Sequence, residues 1–183
     1  MVRLPDGALC AALLAASAAA LPAALAGCAP ALNWREVRPD GSGLEAVFPC
    51  RPDRHERRVA LAGASALMQM HVCQAAGLTF AVSLVDVDAP DRVGRAMAEL
   101  RALAVSNVGA TDSTVAALQV PGMTPNPQSA LLDARGRPVG AERLGLRAAF
   151  FSKGLRVFQA TVVGADPSVE ATQPFFAGLR VPA

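Results

Sequence analysis

The sequence predicts an α+β domain, an antiparallel sheet flanked by helices. Two observations carry that prediction. Residues 67–84 and 144–163 each form two apolar stretches joined by a short turn, the pattern of a β-hairpin. Residues 90–108 repeat apolar side chains at helical spacing behind Pro90, and a second helix start stands at Asp166-Pro167. The resulting order is strands, helix, strands, helix, which packs as a sandwich of helices on a sheet.

Each element has its own local reason. Asn33 to Arg38 reads as a short strand closed by the turn Pro39-Asp40-Gly41, and Leu44 to Phe48 reads as the next. Arg57 to Leu61 forms a third, ended by Ala62-Gly63-Ala64. In the first hairpin Met68, Met70 and Val72 share one face, while Leu67, Gln69, His71 and Cys73 share the other. After the turn Ala75-Ala76-Gly77, residues Leu78, Phe80, Val82 and Leu84 line one face of the partner strand. The helix is capped at Asp88 or Ala89 and ends at Gly109. Its apolar stripe runs through Val93, Met97, Leu100, Leu103 or Ala104, and Asn107 or Val108. A strand is expected at Val115 to Val120, followed by a proline-rich loop at 121–127. The second hairpin runs from Leu144 to Phe151 and from Leu155 to Val163 around Ser152-Lys153-Gly154. The last helix carries Val169, Phe175, Phe176 and Leu179, and Pro174 is expected to kink or interrupt it.

The first thirty residues follow different rules. Arg3 and Asp6 are the charges before an Ala- and Leu-rich run from Ala8 to Ala26. That run nears the length of a spanning helix, but alanine is barely apolar enough to insert and Pro22 stands near its end. A secretory signal peptide over residues 1–27 fits better. Leu25-Ala26-Gly27-Cys28 matches the lipobox of bacterial lipoproteins at every position. That resemblance implies a diacylglyceryl thioether on Cys28 and cleavage before it. Small residues at 26 and 27 suit a narrow protease groove, and a thiol supplies the nucleophile. Each buried methylene contributes about 0.8 kcal/mol, so two or three acyl chains hold a protein on a membrane almost permanently. Residues 28–33 form the tether, and residues 34–183 a single α+β domain. Ala29 rather than Asp follows the cysteine, which by resemblance to enterobacterial sorting favours the outer membrane. The lipid bilayer is thus the first expected partner, with an envelope protein as a second.

Cysteine bookkeeping narrows the rest. Cys10 leaves with the signal and Cys28 takes the lipid, so Cys50 and Cys73 remain as a pair in an oxidising compartment. A structural disulfide is expected, with two free buried thiols as the alternative. Closing such a loop contributes about 3 kcal/mol. The formal net charge of +2 is not concentrated in either half, which gives no reason to expect nucleic acid as a partner.

The layout resembles the Mog1/PsbP-like fold, including the DcrB-like group of envelope lipoproteins. It does so through the strand ending at Phe48-Pro49, the hairpin at 67–85, the helix at 90–108, the hairpin at 144–163 and the closing helix. The resemblance implies an accessory or binding role and carries over no site residue.

Candidate sites are few. Arg51, Arg54, His55, Arg57 and Arg58 form a basic cluster that could meet anionic headgroups, or else be a solvated loop partly neutralised by Asp53 and Glu56. His71 beside Cys73 lacks companion ligands at metal-binding spacing, so no metal is expected. Asp86 with Asp88 or Asp91 could form a carboxylate pair, but helix capping is the better explanation of them. The 121–127 loop is either a docking surface or a connector. No nucleophile-and-base pattern or phosphate loop is present, the chain has two histidines and no tyrosine, and no cofactor is expected. The expectation is a non-enzymatic binding or assembly protein. The alternative is a small-molecule or lipid carrier, or a weak hydrolase, with a pocket between the sheet and helix 90–108.

Overall fold

The computed structural model describes residues 32–138, 140 and 142–182. Cys28 and the signal segment lie outside them. The chain is α+β, with a large antiparallel sheet and two helices among the described residues. A two-stranded ribbon of β1 (Arg35–Val37) and β2 (Ala46–Phe48) comes first. The main sheet contains β3 (Asp53–Leu61), β4 (Ala64–Ala75), β5 (Leu78–Asp86), β6 (Ser113–Ala116), β7 (Ala130–Gly136), β8 (Leu144–Lys153) and β9 (Arg156–Gly164). Its spatial order is β3-β4-β5-β9-β8-β7-β6, antiparallel throughout. Two hairpins therefore meet at the β5–β9 pair, and β3 and β6 are the free edges. Helix α1 (Pro90–Asn107) joins β5 to β6, and α2 (Val169–Ala177) follows β9.

Strand alternation sends two sets of side chains to opposite faces, and each face has its own cover. On one face Val85, Leu132, Leu146, Ala148, Phe150 and Val157 pack under Val93, Ala96, Met97, Leu100 and Ala104 of α1. On the other, Phe80, Val82, Phe151, Phe158 and Val162 pack under the ribbon, α2 and the chain end. Phe175 of α2 anchors that second layer. It has no exposed surface and meets Phe48 and Phe80 edge-on, with centroids 5.3 and 5.5 Å away. Burying rings of this size contributes about 2–3 kcal/mol each.

Several local expectations needed correction. β3 begins at Asp53 rather than Arg57, so the basic cluster is not a loop but largely an edge strand. The strand expected at 115–120 is Ser113–Ala116; Val120 instead leaves the sheet and is buried in the second core. β7 was not expected at all. On α1 the open alternatives resolve as expected in kind: Ala104 is buried and Leu103 52% exposed, and the cap is Ala89, with no side-chain hydrogen bond. The last helix runs continuously across Pro174, capped by Ser168, whose hydroxyl accepts from the Ala171 N–H.

The hairpin turns hold as expected, with a local oddity. Ala62-Gly63 and Ala76-Gly77 both have positive φ, the geometry that two-residue hairpins favour. Ala62 takes this left-handed conformation while fully buried, and its N–H donates to Glu99 of α1 at 2.7 Å. That bond ties the β3–β4 turn to the helix.

Candidate functional site

Cys50 and Cys73 are joined in a disulfide, their Cα atoms 6.0 Å apart. The bridge fastens the end of β2 to β4, so the ribbon is covalently tied to the main sheet. Beside it the chain enters the domain. The Asn33 N–H donates to the Pro49 carbonyl at 2.8 Å, which places the entry point next to Cys50 and Arg51.

From that point β3 runs along the sheet edge. Arg51, Arg54, His55, Arg57 and Arg58 are all exposed. Alternation divides them. Arg54, Glu56 and Arg58 point to one face of the strand, while His55 and Arg57 point to the other. Arg54 is engaged by Glu56; Arg51, Arg57 and Arg58 have no ion-pair partner among the described residues. The predicted cluster is therefore a solvated, two-sided basic edge. Charges on an edge strand also discourage pairing with another sheet.

His71 sits opposite Arg54 on the neighbouring strand. It is buried, and its Nε2 has no hydrogen-bond partner among the described residues. Burial, with a further contribution from Arg54, pushes its pKa below the usual 6.5, against a smaller upward pull from Asp40. The ring is thus a neutral sheet residue. No cluster of three or more His, Cys, Asp or Glu able to hold a metal occurs among the described residues.

The carboxylates near α1 are occupied. Asp86 holds Arg156 through two bonds of 2.6 and 2.7 Å, Asp88 holds Arg92, and Asp91 lies 3.9 Å from Arg95. The hydrogen bonds that Arg156 donates to Asp86 raise its pKa above the ordinary value, against an opposing effect of burial and with a further rise from the Asp86 charge. Arg156 also donates to the Ser42 carbonyl, which pins the ribbon turn. The 121–127 loop is likewise fastened. Thr124 N–H donates to Ser152 O at 2.7 Å, Val181 N–H to Pro121 O at 2.8 Å, and Lys153 Nζ to Gly122 O at 2.9 Å. Gly122 has φ +82°, and a Cβ there would overlap the Val181 carbonyl, so only glycine fits.

The layer between α1 and the sheet, where a ligand pocket was the alternative expectation, is filled by side chains. Ala96, Met97, Leu132, Ala148, Phe150 and Val157 all have no exposed surface. A concave site lies instead on the opposite face, near the β6 edge. It is a cleft of about 300 Å³ lined by Asp112, Thr114, Asp133, Arg135, Arg147 and Pro167, among others. Arg147, at mid-strand in β8, is only 8% exposed. Its cross-strand partner is Asp133, with Nε 2.6 Å from Oδ1. The two groups form a close ion pair, although the N–H is not well aligned with the oxygen. The other end of the guanidinium donates to Thr172 of α2 at 3.0 Å and lies 5.6 Å from the Phe176 ring centroid. At the rim Arg135 pairs with Asp166 at 3.1 Å.

Sequence reasoning missed this pair. The available signal was one charge inside the otherwise apolar run Leu144 to Phe151. Asp133 was hidden because its strand was not recognised. No protein-family model matches the chain, and no curated protein or solved structure is significantly similar to it.

Proposed function

We propose that this chain is a lipoprotein of the bacterial envelope, acylated on Cys28, whose domain has a binding or assembly role without catalysis. Leu25-Ala26-Gly27-Cys28 behind an apolar run is the observation that carries this reading. The Cys50–Cys73 disulfide supports it, since such bonds persist outside the reducing cytosol. We assign the domain to the Mog1/PsbP-like sandwiches, on the order hairpin, helix, hairpin, helix and an antiparallel sheet covered on both faces.

The entry point adds a geometric argument. Cys28 is five peptide units before Asn33, a reach of roughly 17 Å when extended. Asn33 is bonded to Pro49, so the tether enters the domain two residues before Arg51 and the approach to β3. Each unpaired arginine at an anionic leaflet adds about 1 kcal/mol, enough to orient an anchored domain. The expected location is the periplasmic side of the outer membrane, with the bilayer as first partner and an envelope protein as second.

Metabolic labelling with a radioactive fatty acid tests the anchor. The native chain should incorporate label and Cys28→Ala should not; equal labelling of both would refute acylation at this residue. Affinity capture from detergent-solubilised envelope tests the assembly role, and a partner recovered reproducibly is the expected outcome.

A further inference from the structure

We infer that the free edge of β3 takes up an acidic, extended segment of a protein partner as an added strand, selected by two consecutive carboxylate side chains. This rests on the binding or assembly role proposed above and names the chemistry of the protein that fills it.

The backbone of this edge is regular. β3 is nine residues long and is matched to β4 at every position from Asp53 to Leu61, without a bulge and without a proline. It ends the sheet, so its outer main-chain donors and acceptors have no strand partner among the described residues. Short length, bulges, proline and charge are the usual means of blunting such an edge, and β3 uses only the last. Charge protects with a sign. It repels a second copy of this strand and attracts an acidic one.

The charge also has a definite position. Over the approach and first half of the strand, Arg51 and Arg54 are offset by Asp53 and Glu56, with Arg54 and Glu56 paired directly. The excess lies at Arg57 and Arg58, both exposed and neither ion-paired among the described residues. Their partners on β4, Met68 and Leu67, are uncharged. Being consecutive, the two arginines point to opposite faces. A membrane leaflet laid against either face of the sheet meets one of them, whereas a strand lying alongside β3 meets both. Two successive residues of that strand face one arginine each, because its side chains alternate in the same way. Leu67, across from Arg58 and 46% exposed, offers an apolar contact beside the charge on that face. Main-chain hydrogen bonds then give affinity, and the consecutive carboxylates give specificity.

Two-dimensional amide NMR of the mature chain carrying Cys28→Ala, and so free of acyl chains, tests this inference. The probe is a threonine–valine peptide of the length of β3 with two consecutive glutamates at its centre. Saturable shifts along residues 54–60 are expected, with none at the opposite edge, β6. Separating the glutamates by one residue sends both to one face and should weaken binding about threefold, the loss of one cross-strand charge pair. Arg57→Ala and Arg58→Ala should each weaken it by about the same factor. Lysine in place of both glutamates should abolish binding. Arg57→Glu with Arg58→Glu should reject the glutamate peptide and accept the lysine one. Equal binding of the three peptides, undiminished glutamate binding by the charge-reversed chain, shifts centred on β6, or no saturable shift at millimolar peptide would overturn the proposal. So would cosedimentation with phosphatidylglycerol vesicles through Arg57 and Arg58 when the peptide gives no shift, which would assign these arginines to the leaflet. A partner captured from solubilised envelope and retained by the charge-reversed chain would leave the binding role standing and sink this inference.

Discussion

The arginines of β3 and Arg147 of β8 are the same side chain in opposite surroundings. Those of β3 stand on a free edge, where water solvates each guanidinium and alternation spreads them over two faces. Arg147 lies on the third strand counted from the other edge, 8% exposed, and its surroundings supply a carboxylate, a hydroxyl and an aromatic face. The first group can change with little effect on folding. The second is bound up with the packing of β7, β8 and α2. An exposed charge informs chiefly about what can approach the protein, whereas a buried one informs about what the fold had to provide.

The contrast is sharpest in stability. Asp133→Ala orphans the buried cation and should lower the unfolding free energy by about 3 kcal/mol, toward the low end for a stranded charge because the cleft admits water. Arg147→Met, which leaves a hydratable carboxylate and fills the space, should cost about 1 kcal/mol. Urea titrations of both variants check this, and the reverse ranking would mean that Arg147 is not the dependent partner. On the β3 side, stability comes from the covalent bridge rather than from charge. Replacing Cys50 and Cys73 together by alanine opens a link across 23 positions and should cost about 3 kcal/mol by the same measurement. His71 falls between the two cases, being buried yet opposite Arg54. Its pKa in the folded chain is below the unfolded 6.5, so the unfolded state binds more protons as pH falls. Stability is therefore full above about pH 6.5 and declines as pH drops through the folded value. His71→Gln should flatten that part of the denaturation-midpoint profile between pH 7.5 and 5. The smallest effect belongs to Arg57→Ala and Arg58→Ala, each within about 0.5 kcal/mol. A larger loss in a thermal melt would remove the distinction between the two environments.

These same two regions explain what the sequence made legible. The hairpins and α1 were readable because burial on one side imposes a strict period, as in Phe80, Val82 and Leu84 or in Val93, Met97 and Leu100. β3 was half lost because a charged edge strand buries little, so its first four residues carry no apolar period. β7 was lost for another reason: its inward residues Ala130, Leu132 and Ala134 are mostly small, and Asp133 and Arg135 between them resemble a loop. The disulfide was inferable from counting and strand ends. The cleft was not, because Asp133, Arg147 and Thr172 come together only through the β7–β8 register and the docking of α2. Pro174 was over-weighted. It sits in a nine-residue helix whose carbonyl beyond is still reached by the Gly178 N–H, so the chain carries on past it.

The two open edges of the sheet bear on how copies of this protein would behave side by side. An acyl anchor confines molecules to a plane, where encounters are far more frequent than in free solution, and unpaired strands are what such encounters would join. β6 offers only four residues to a neighbour, too short a run to hold one. β3 offers nine, and the arginines on both of its faces would oppose the same edge of an approaching copy. If the proposed anchor holds the domain at a membrane, the same basic strand would also keep neighbouring domains from zipping into a continuous sheet.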